Sequence, residues 1–459
     1  MGKGKKVSSL KEVIHIYHTN DLHSHFSRWP RIHRLLTERR KWHEEAGEDV
    51  FFFDIGDHVD RWHPLTEATG GKCNTDLLNQ AGCTAAAIGN NEGITLPFDS
   101  LDTLYEKAGF DVITANLFYK DGRRPDWAKP YAIYETVSGL KVAAAGATAN
   151  YEHFYDLLGW KLTDPFEELR KVLAEVRGQA DIIVILSHLG IHDDERLAAE
   201  FPEADVIFGG HTHHILHEGK MAEGCLLAAA GKHGFYAGHV MLEIDTETKT
   251  VIGKKAQLYD TNELPSADDE EHIIENLYRK GKSLLDVPAA PLPNGGMSKK
   301  QLAILLCKAL QEKCGADAAL LNEGLILEGL EKNEATLYDL HRICPHPINP
   351  SKVVLTGAEL KEVLRHAQSD EWEQLQVKGL GFRGTLMGRM ISTGAEMDTS
   401  GNMQIGGHVL DNKKSYSLAI PDMFTFGPFF PEIRRAAEKE YFFPDFLRHL
   451  LEWKLQQLQ

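Results

Sequence analysis

No stretch of this chain reaches the roughly 18 consecutive apolar residues of a membrane-spanning helix. Residues 1–6 are basic, but polar positions follow them where a secretory signal would carry its apolar core, so no signal is expected. Cysteine is scarce: Cys73, Cys83, Cys225, Cys307, Cys314 and Cys344 are the only six in 459 residues, and no two form a C-x-x-C pair. That pattern argues against a zinc ribbon or a disulfide scaffold and points to reduced thiols in a cytoplasmic protein. Positive charge is also short, with 50 Lys and Arg against 67 Asp and Glu and a net charge of −17. Nucleic acid is therefore not the expected main partner, and nothing marks a membrane-binding surface. Internal repeats and low-complexity tracts are lacking as well.

Against these absences stands a recurring pattern of short apolar runs that stop at Asp, Asn or His. The run 13–17 leads into His18-Thr19-Asn20-Asp21-Leu22-His23. The run 50–53 ends in Asp54-Ile55-Gly56-Asp57-His58, and 85–88 ends in Gly89-Asn90-Asn91-Glu92. The run 181–186 ends in Ser187-His188, and 204–208 ends in Gly209-Gly210-His211-Thr212-His213. Each run reads as a buried strand. Helical periodicity over 28–45, 74–80 and 164–177 separates them, which makes the chain up to about residue 260 an α/β layered fold. A linking helix is expected over 264–286, with Asp268-Asp269-Glu270-Glu271 at its front and Arg279, Lys280 and Lys282 behind, a charge order that suits the helix dipole. Pro288, Pro291, Pro293 and Gly295-Gly296 then mark a domain boundary. Beyond it, Leu302, Leu305, Leu306 and Leu310 share one face of a further helix.

Open α/β folds bind ligands beyond the carboxyl ends of their strands. The residues at those ends are Asp21, His23, Asp57, Asn90, His188, His211 and His213. All offer oxygen or imidazole nitrogen and none a thiolate, which suits divalent Mn, Zn, Fe or Co better than an all-oxygen calcium cage. Seven donors are too many for one catalytic ion with an open position. They suit two ions about 3.5–4 Å apart that share a carboxylate. Asp57 stands alone between the ligand groups and is the natural bridge. Taken singly, Asp57 also reads as a helix N-cap and Asn90 as a turn residue; five strand ends together favour the metal reading.

The blocks Asp21-x-His23, Gly56-Asp57, Gly89-Asn90, Ser187-His188 and Gly210-His211-x-His213 resemble those of the calcineurin-like binuclear metallophosphoesterases. The opening His18-Thr19-Asn20-Asp21-Leu22-His23 narrows the resemblance to their 5′-nucleotidase family, closest to its cytoplasmic bacterial YunD-like branch. Gly315-Ala316-Asp317 through Asn322, and Leu355-Thr356-Gly357, resemble two motifs of that family's second half. The resemblance implies a four-layer α/β/β/α metallophosphoesterase domain over 1–262 and a linking helix over 263–290. A smaller α+β substrate-binding domain of 5′-nucleotidase type would fill 291–459. It further implies one metal on Asp21, His23, Asp57 and His213, and a second on Asp57, Asn90, His188 and His211. The implied reaction is attack by a metal-bridged hydroxide on the phosphorus of a nucleotide or related small phosphate ester.

Two departures stand out. The family carries Asn-His-Glu where this chain has Asn90-Asn91-Glu92. Asn91 occupies the catalytic position and donates a hydrogen bond but supplies no proton. General acid catalysis is worth about 10²–10⁴-fold, so the exchange is consequential; His58, His63 and His192 are candidate substitutes. In the second half a phosphate-contacting Arg is missing after Asn322, with Arg342, Arg383 and Arg389 as candidate replacements. Asn322, Phe424, Phe426 and Phe429, with Phe430 beside them, are the candidate substrate contacts, the rings by stacking on a base. A missing proton donor favours esters with good leaving groups. A cyclic-nucleotide or nucleotide-sugar phosphodiesterase or pyrophosphatase is therefore the alternative enzyme, and a metal-holding binding protein without turnover is the alternative outside enzymes.

Overall fold

The computed structural model describes residues 11–267, 269–397 and 402–458. The basic opening and Asp268 of the expected linking helix lie outside them. The chain divides into two compact units, 1–280 and 281–459.

The first unit contains β1 (Lys11–Thr19), helix α1 (Trp29–Ala46), β2 (Asp49–Asp54), β3 (Ala85–Ala87), β4 (Asp111–Ile113), β5 (Ala128–Lys129), β6 (Tyr131–Glu135) and β7 (Lys141–Thr148). It continues with helix α2 (Pro165–Val176), β8 (Ile182–His188), helix α3 (Ile191–Glu200), β9 (Val206–Gly209), β10 (Lys220–Ala222), β11 (Cys225–Ala228), β12 (Tyr236–Asp245) and β13 (Thr250–Asp260). These strands make a seven-stranded sheet in the order β13-β12-β1-β2-β3-β4-β5 and a six-stranded sheet in the order β10-β11-β9-β8-β7-β6. Alternation places Ile14, Ile16, Phe51 and Phe53 of the first sheet against Val142, Val184, Leu186 and Phe208 of the second, in one buried cluster. The opposite face of the second sheet, with Ile183, Ile185 and Ile207, buries Leu169 and Leu173 of α2 and Leu197 of α3. On the outer side of the first sheet α1 packs on β2 and buries Ile32, Leu35 and Leu36. The result is the expected α/β/β/α layering.

Parallel pairing of β1 with β2 and of β8 with β9 brings the motif-bearing strand ends to one edge of the sandwich. The strand β13 was not anticipated from the sequence: it is an edge strand carrying Gly253, Lys254 and Lys255, so its alternation is too polar to stand out.

Helix α4 (Glu270–Leu285) contains the division between the units. In the second unit, α5 (Lys299–Lys313), β14 (Ala318–Asn322), β15 (Pro350–Thr356), β16 (Met390–Thr393), β17 (Ser415–Pro421), β18 (Lys439–Tyr441) and α6 (Leu447–Leu455) build an α+β fold. Its sheet has the order β16-β14-β17-β15-β18. Leu302, Leu305, Leu306 and Leu310 of α5 all enter the core, as their spacing predicts. No described helix is long and apolar enough to cross a membrane.

One backbone position shows how tightly the strand ends are drawn together. Gly56 has φ +88°, and a Cβ there would lie 2.4 Å from the Gly89 nitrogen. Gly56→Ala is expected to cost at least about 2 kcal/mol, read as a lower chemical-denaturation midpoint. An unchanged midpoint would contradict this packing.

Candidate metal centre

The loops that leave β1 and β2 continue as a zipped pair. Ile55 N donates to Thr19 O, Asp21 N to Gly56 O, His23 N to Asp57 O and Ser24 N to His58 O, at 2.8–3.0 Å. Ten non-glycine residues among those described have positive φ, and five of them are Asp21, His23, Asp57, His211 and His213. Left-handed backbone is unfavourable for such residues and persists where surrounding contacts hold it, as at functional sites. Here the contacts are visible. His211 N donates to both carboxylate oxygens of Asp21 at 3.1 Å. Asn91 N donates to Asp57 Oδ1 at 2.7 Å, and the Glu92 carboxylate accepts from the nitrogens of Asp57, Val59 and Gly89.

The side chains converge in two groups. Asp21, His23 and His213 form one, and Asp21, Asp57 and His188 the other, each with ligand atoms mutually within 4.8 Å. In the first, His23 Nε2 and His213 Nε2 face each other at 3.2 Å, with Asp21 Oδ1 3.3 Å from the latter. Asp57 lies between groups: Oδ1 is 3.4 Å from His188 Nε2 and Oδ2 is 3.7 Å from His23 Nε2. His211 Nδ1 meets Asn90 Oδ1 at 2.8 Å, and the His211 ring is tilted against that of His188. All seven sequence candidates are thus gathered at one edge of the first unit.

The donor set fits divalent cations. His188 is fully buried; its Nδ1 donates to Ile55 O at 2.7 Å, which turns Nε2 toward Asp57 Oδ1 at 3.4 Å. A buried imidazole whose far nitrogen is fixed by a carbonyl is how proteins prepare a metal ligand. His23 Nδ1 lies 3.5 Å from Asp60 Oδ2. Without an ion, His188 and Asp57 act as an ion pair. Burial opposes the imidazolium, but Asp57 outweighs it and lifts His188 to about 10. Burial likewise opposes the Asp57 carboxylate, and His188 overrides it and holds Asp57 far below the usual range. Burial raises Glu92 to about 7 and Asp54, which accepts from Thr19 Oγ1 at 2.6 Å, to about 8.

The other sequence candidates are placed differently. The Asn91 amide Nδ2 is turned onto His23 Nδ1 at 2.8 Å and Val59 O at 3.2 Å, so it supports a ring of the centre instead of facing outward. His58 is buried against Trp29 and held to Asn74, and burial lowers it to about 3, so it does not act as a proton donor. His63 caps a short helix by accepting from Leu65 N, and His192 is exposed on α3. Asn322 is fully buried and donates to Met387 O. Phe424 and Phe430 are fully buried and pack edge-on at 5.3 Å, so they are core residues and not stacking platforms. Phe426 is 41% exposed, and Phe429 lines a cavity in the second unit. Arg342 pairs with Glu328, and Arg389 with Glu373.

Sequence reasoning missed three neighbours of the centre. Tyr151 Oη lies 3.4 Å from His211 Nε2. Asn20 donates to Asp21 Oδ2 and Gly231 O and accepts from Ala230 N, locking the β1 loop to the end of β11. His233, with φ +56°, stands edge-on to His23 and stacks on His25 at 3.7 Å. Asn20 had a signal in its place beside Asp21; Tyr151 and His233 sit in loops without one.

Comparison with known proteins agrees with this geometry. Residues 14–214 match the calcineurin-like phosphoesterase family model, and residues 285–427 match the 5′-nucleotidase C-terminal domain. The chain is 47% identical to the metallophosphoesterase YunD of Bacillus subtilis, over 98% of this chain and 100% of that one. It is 24% identical to protein UshA of Yersinia enterocolitica, over 88% and 84% of the two chains. Among solved structures, a 5′-nucleotidase of Staphylococcus aureus shares the fold with a TM-score of 0.66, 18% identity and 98% coverage of each chain. The 5′-nucleotidase precursor of Thermus thermophilus shares it with a TM-score of 0.60, 19% identity and 97% and 96% coverage. The chain belongs to the calcineurin-like phosphoesterases that carry a 5′-nucleotidase C-terminal domain, and it is a metal-dependent phosphoric ester hydrolase.

Proposed function

We propose that this enzyme hydrolyses a nucleotide, most simply a nucleoside monophosphate, with two divalent ions held on either side of Asp57. Asp21, His23, Asp57 and His213 would hold one ion, and Asp57, Asn90, His188 and His211 would hold the other. The observation that carries this reading is the Asp57 carboxylate, whose two oxygens face imidazoles of different groups. Manganese, zinc, iron or cobalt suits the donors. When bound, such a pair supplies an activated water for attack on phosphorus and offsets the charge of the equatorial oxygens.

The chain's own side chains do the rest. Asn91 orients His23, and its backbone N–H orients Asp57. Were His211 to hold an ion through Nδ1, its Nε2–H would donate to Tyr151 Oη, 3.4 Å away, and the Tyr151 O–H would be left to donate to the substrate. Burial and the nearby Asp57 charge raise the phenol above its ordinary value, so it keeps that proton. Tyr151 thereby takes the place left empty by Asn91. In the second unit, Phe429 and Trp372 border a cavity of about 430 Å³ with His366, Leu375, Leu380 and Pro428, large enough to receive a base against an aromatic ring. The amide at Asn91 favours a second reading, a phosphodiesterase acting on cyclic nucleotides or nucleotide sugars, whose leaving groups need less protonation.

The deciding experiment measures product release by manganese-loaded protein from nucleoside monophosphates, cyclic nucleotides and nucleotide sugars, beside His188→Ala. Metal-dependent release that is lost in the variant supports the assignment, and the preferred ester chooses between the readings. No release from any ester would contradict it. Tyr151→Phe is expected to lower kcat on a nucleoside monophosphate by about 10²-fold while an ester with an acidic phenol leaving group is nearly unaffected. Equal losses on both would remove Tyr151 from the leaving-group side. The His188–Asp57 pair also sets a pH dependence. Below about 10 the His188 imidazolium must shed its proton to ligate, so metal affinity rises with pH and binding releases protons. The metal-free stability that the pair contributes runs the other way: it is complete below the ordinary imidazole range and lost as pH rises through about 10. Calorimetry of metal binding in two buffers of different ionisation enthalpy reads the released protons; binding enthalpies independent of buffer would contradict the ion pair.

A further inference from the structure

We propose that Asp60 is a positioning residue of the metal centre: its carboxylate selects the form of the His23 ring that can hold an ion. The inference rests on the ligand set proposed above, in which His23 binds through Nε2. That nitrogen faces His213 Nε2 at 3.2 Å, Asp57 Oδ2 at 3.7 Å and Asp21 Oδ1 at 3.8 Å. A neutral imidazole carries one proton, so Nε2 offers its lone pair to a metal only when the proton sits on Nδ1. What meets Nδ1 therefore decides whether His23 is ready to bind.

Two groups of opposite kind meet it. The Asn91 amide lies 2.8 Å from Nδ1 and 3.2 Å from Val59 O. A carbonyl oxygen only accepts, so the amide atom shared between them is Nδ2, a donor, and it holds the ring with its proton on Nε2. Asp60 Oδ2, 3.5 Å from Nδ1, is the acceptor that the other form needs. Asp60 is 1% exposed and firmly placed: its Oδ1 accepts from Trp62 N at 3.2 Å, and its own N donates to Ser24 Oγ at 2.8 Å. Ser24 Oγ also accepts from Thr66 Oγ1 and Asn74 Nδ2, and the Trp62 indole donates to His23 O at 2.7 Å, so one network carries both Asp60 and the His23 backbone. In the metal-binding form the proton has left Nε2 and one has been taken up at Nδ1, through water, and the ring stays neutral. Its Nδ1–H then opposes the Asn91 donor and turns to Asp60. A carboxylate behind a ligating imidazole fixes the ring and raises its basicity.

Asp60→Asn separates this role from packing. The Trp62 N–H keeps the amide oxygen of the new side chain at the Oδ1 position, so its NH2 faces Nδ1 and both neighbours then hold the wrong form. Calorimetric titration of the full chain with manganese reads the result. The wild type is expected to take up two ions. Asp60→Asn is expected to keep one with unchanged affinity and to bind the other about 10–100-fold more weakly. Asn91→Leu, which removes the competing donor, is expected to bind that ion at least as tightly as the wild type, whereas loss of packing alone would weaken binding in both variants. Unchanged affinity in Asp60→Asn, or weaker binding in Asn91→Leu, would overturn the inference and leave the two-ion reading standing. Fewer than two ions in the wild type would overturn that reading and the inference with it. Should either variant not fold, manganese-loaded crystals of the wild type decide: Asp60 Oδ2 within about 3.0 Å of His23 Nδ1 supports the role, and Asn91 left as the nearest partner of Nδ1 overturns it.

Discussion

Asp57 is the residue on which the first unit turns. It follows β2 across Gly56, whose left-handed backbone lies against the next strand end with no room for a side chain. Its nitrogen is held by Glu92, its Oδ1 by Asn91 N, and its two oxygens look toward His188 and His23. A buried carboxylate set among imidazoles is costly to assemble without a counter-charge, and in the metal-free protein His188 provides it as an imidazolium. Divalent ions would provide it more fully, at the expense of that proton. The strained loops around Asp21, His23, His211 and His213 are held by the same hydrogen bonds that aim these side chains, so the backbone and the site form one structure.

The sandwich explains why these residues can meet. Parallel strands deliver their ends to one edge, and two sheets with a shared apolar interior deliver two sets of ends there. The same alternation that sends Ile14 and Ile16 inward sends His15 and Tyr17 outward beneath α1. One strand therefore serves two environments: a core along its length and the candidate metal centre at its tip.

Much of this was legible in the sequence, for identifiable reasons. Buried parallel strands read as short apolar runs, and donors at their ends have few other reasons to sit there. Asp21, His23, Asp57, Asn90, His188, His211 and His213 stand out as candidates that way, and the structure brings them together. Side-chain direction was not legible. Asn91 reads as a replacement for a catalytic histidine, yet its amide turns back onto His23 and Val59. Phe424, Phe426, Phe429 and Phe430 read as one aromatic loop, and only contacts distant in sequence sort Phe424 and Phe430 into the core and leave Phe429 at a cavity. The edge strand β13 was missed because half of it faces water.

The proposed mechanism turns on Asp57 bridging two ions. Anomalous diffraction from manganese-loaded crystals tests that claim most directly. The expected result is a pair of peaks about 3.5–4 Å apart, each within coordination distance of a different Asp57 oxygen. A single peak, or a pair in which one ion does not touch Asp57, would contradict it.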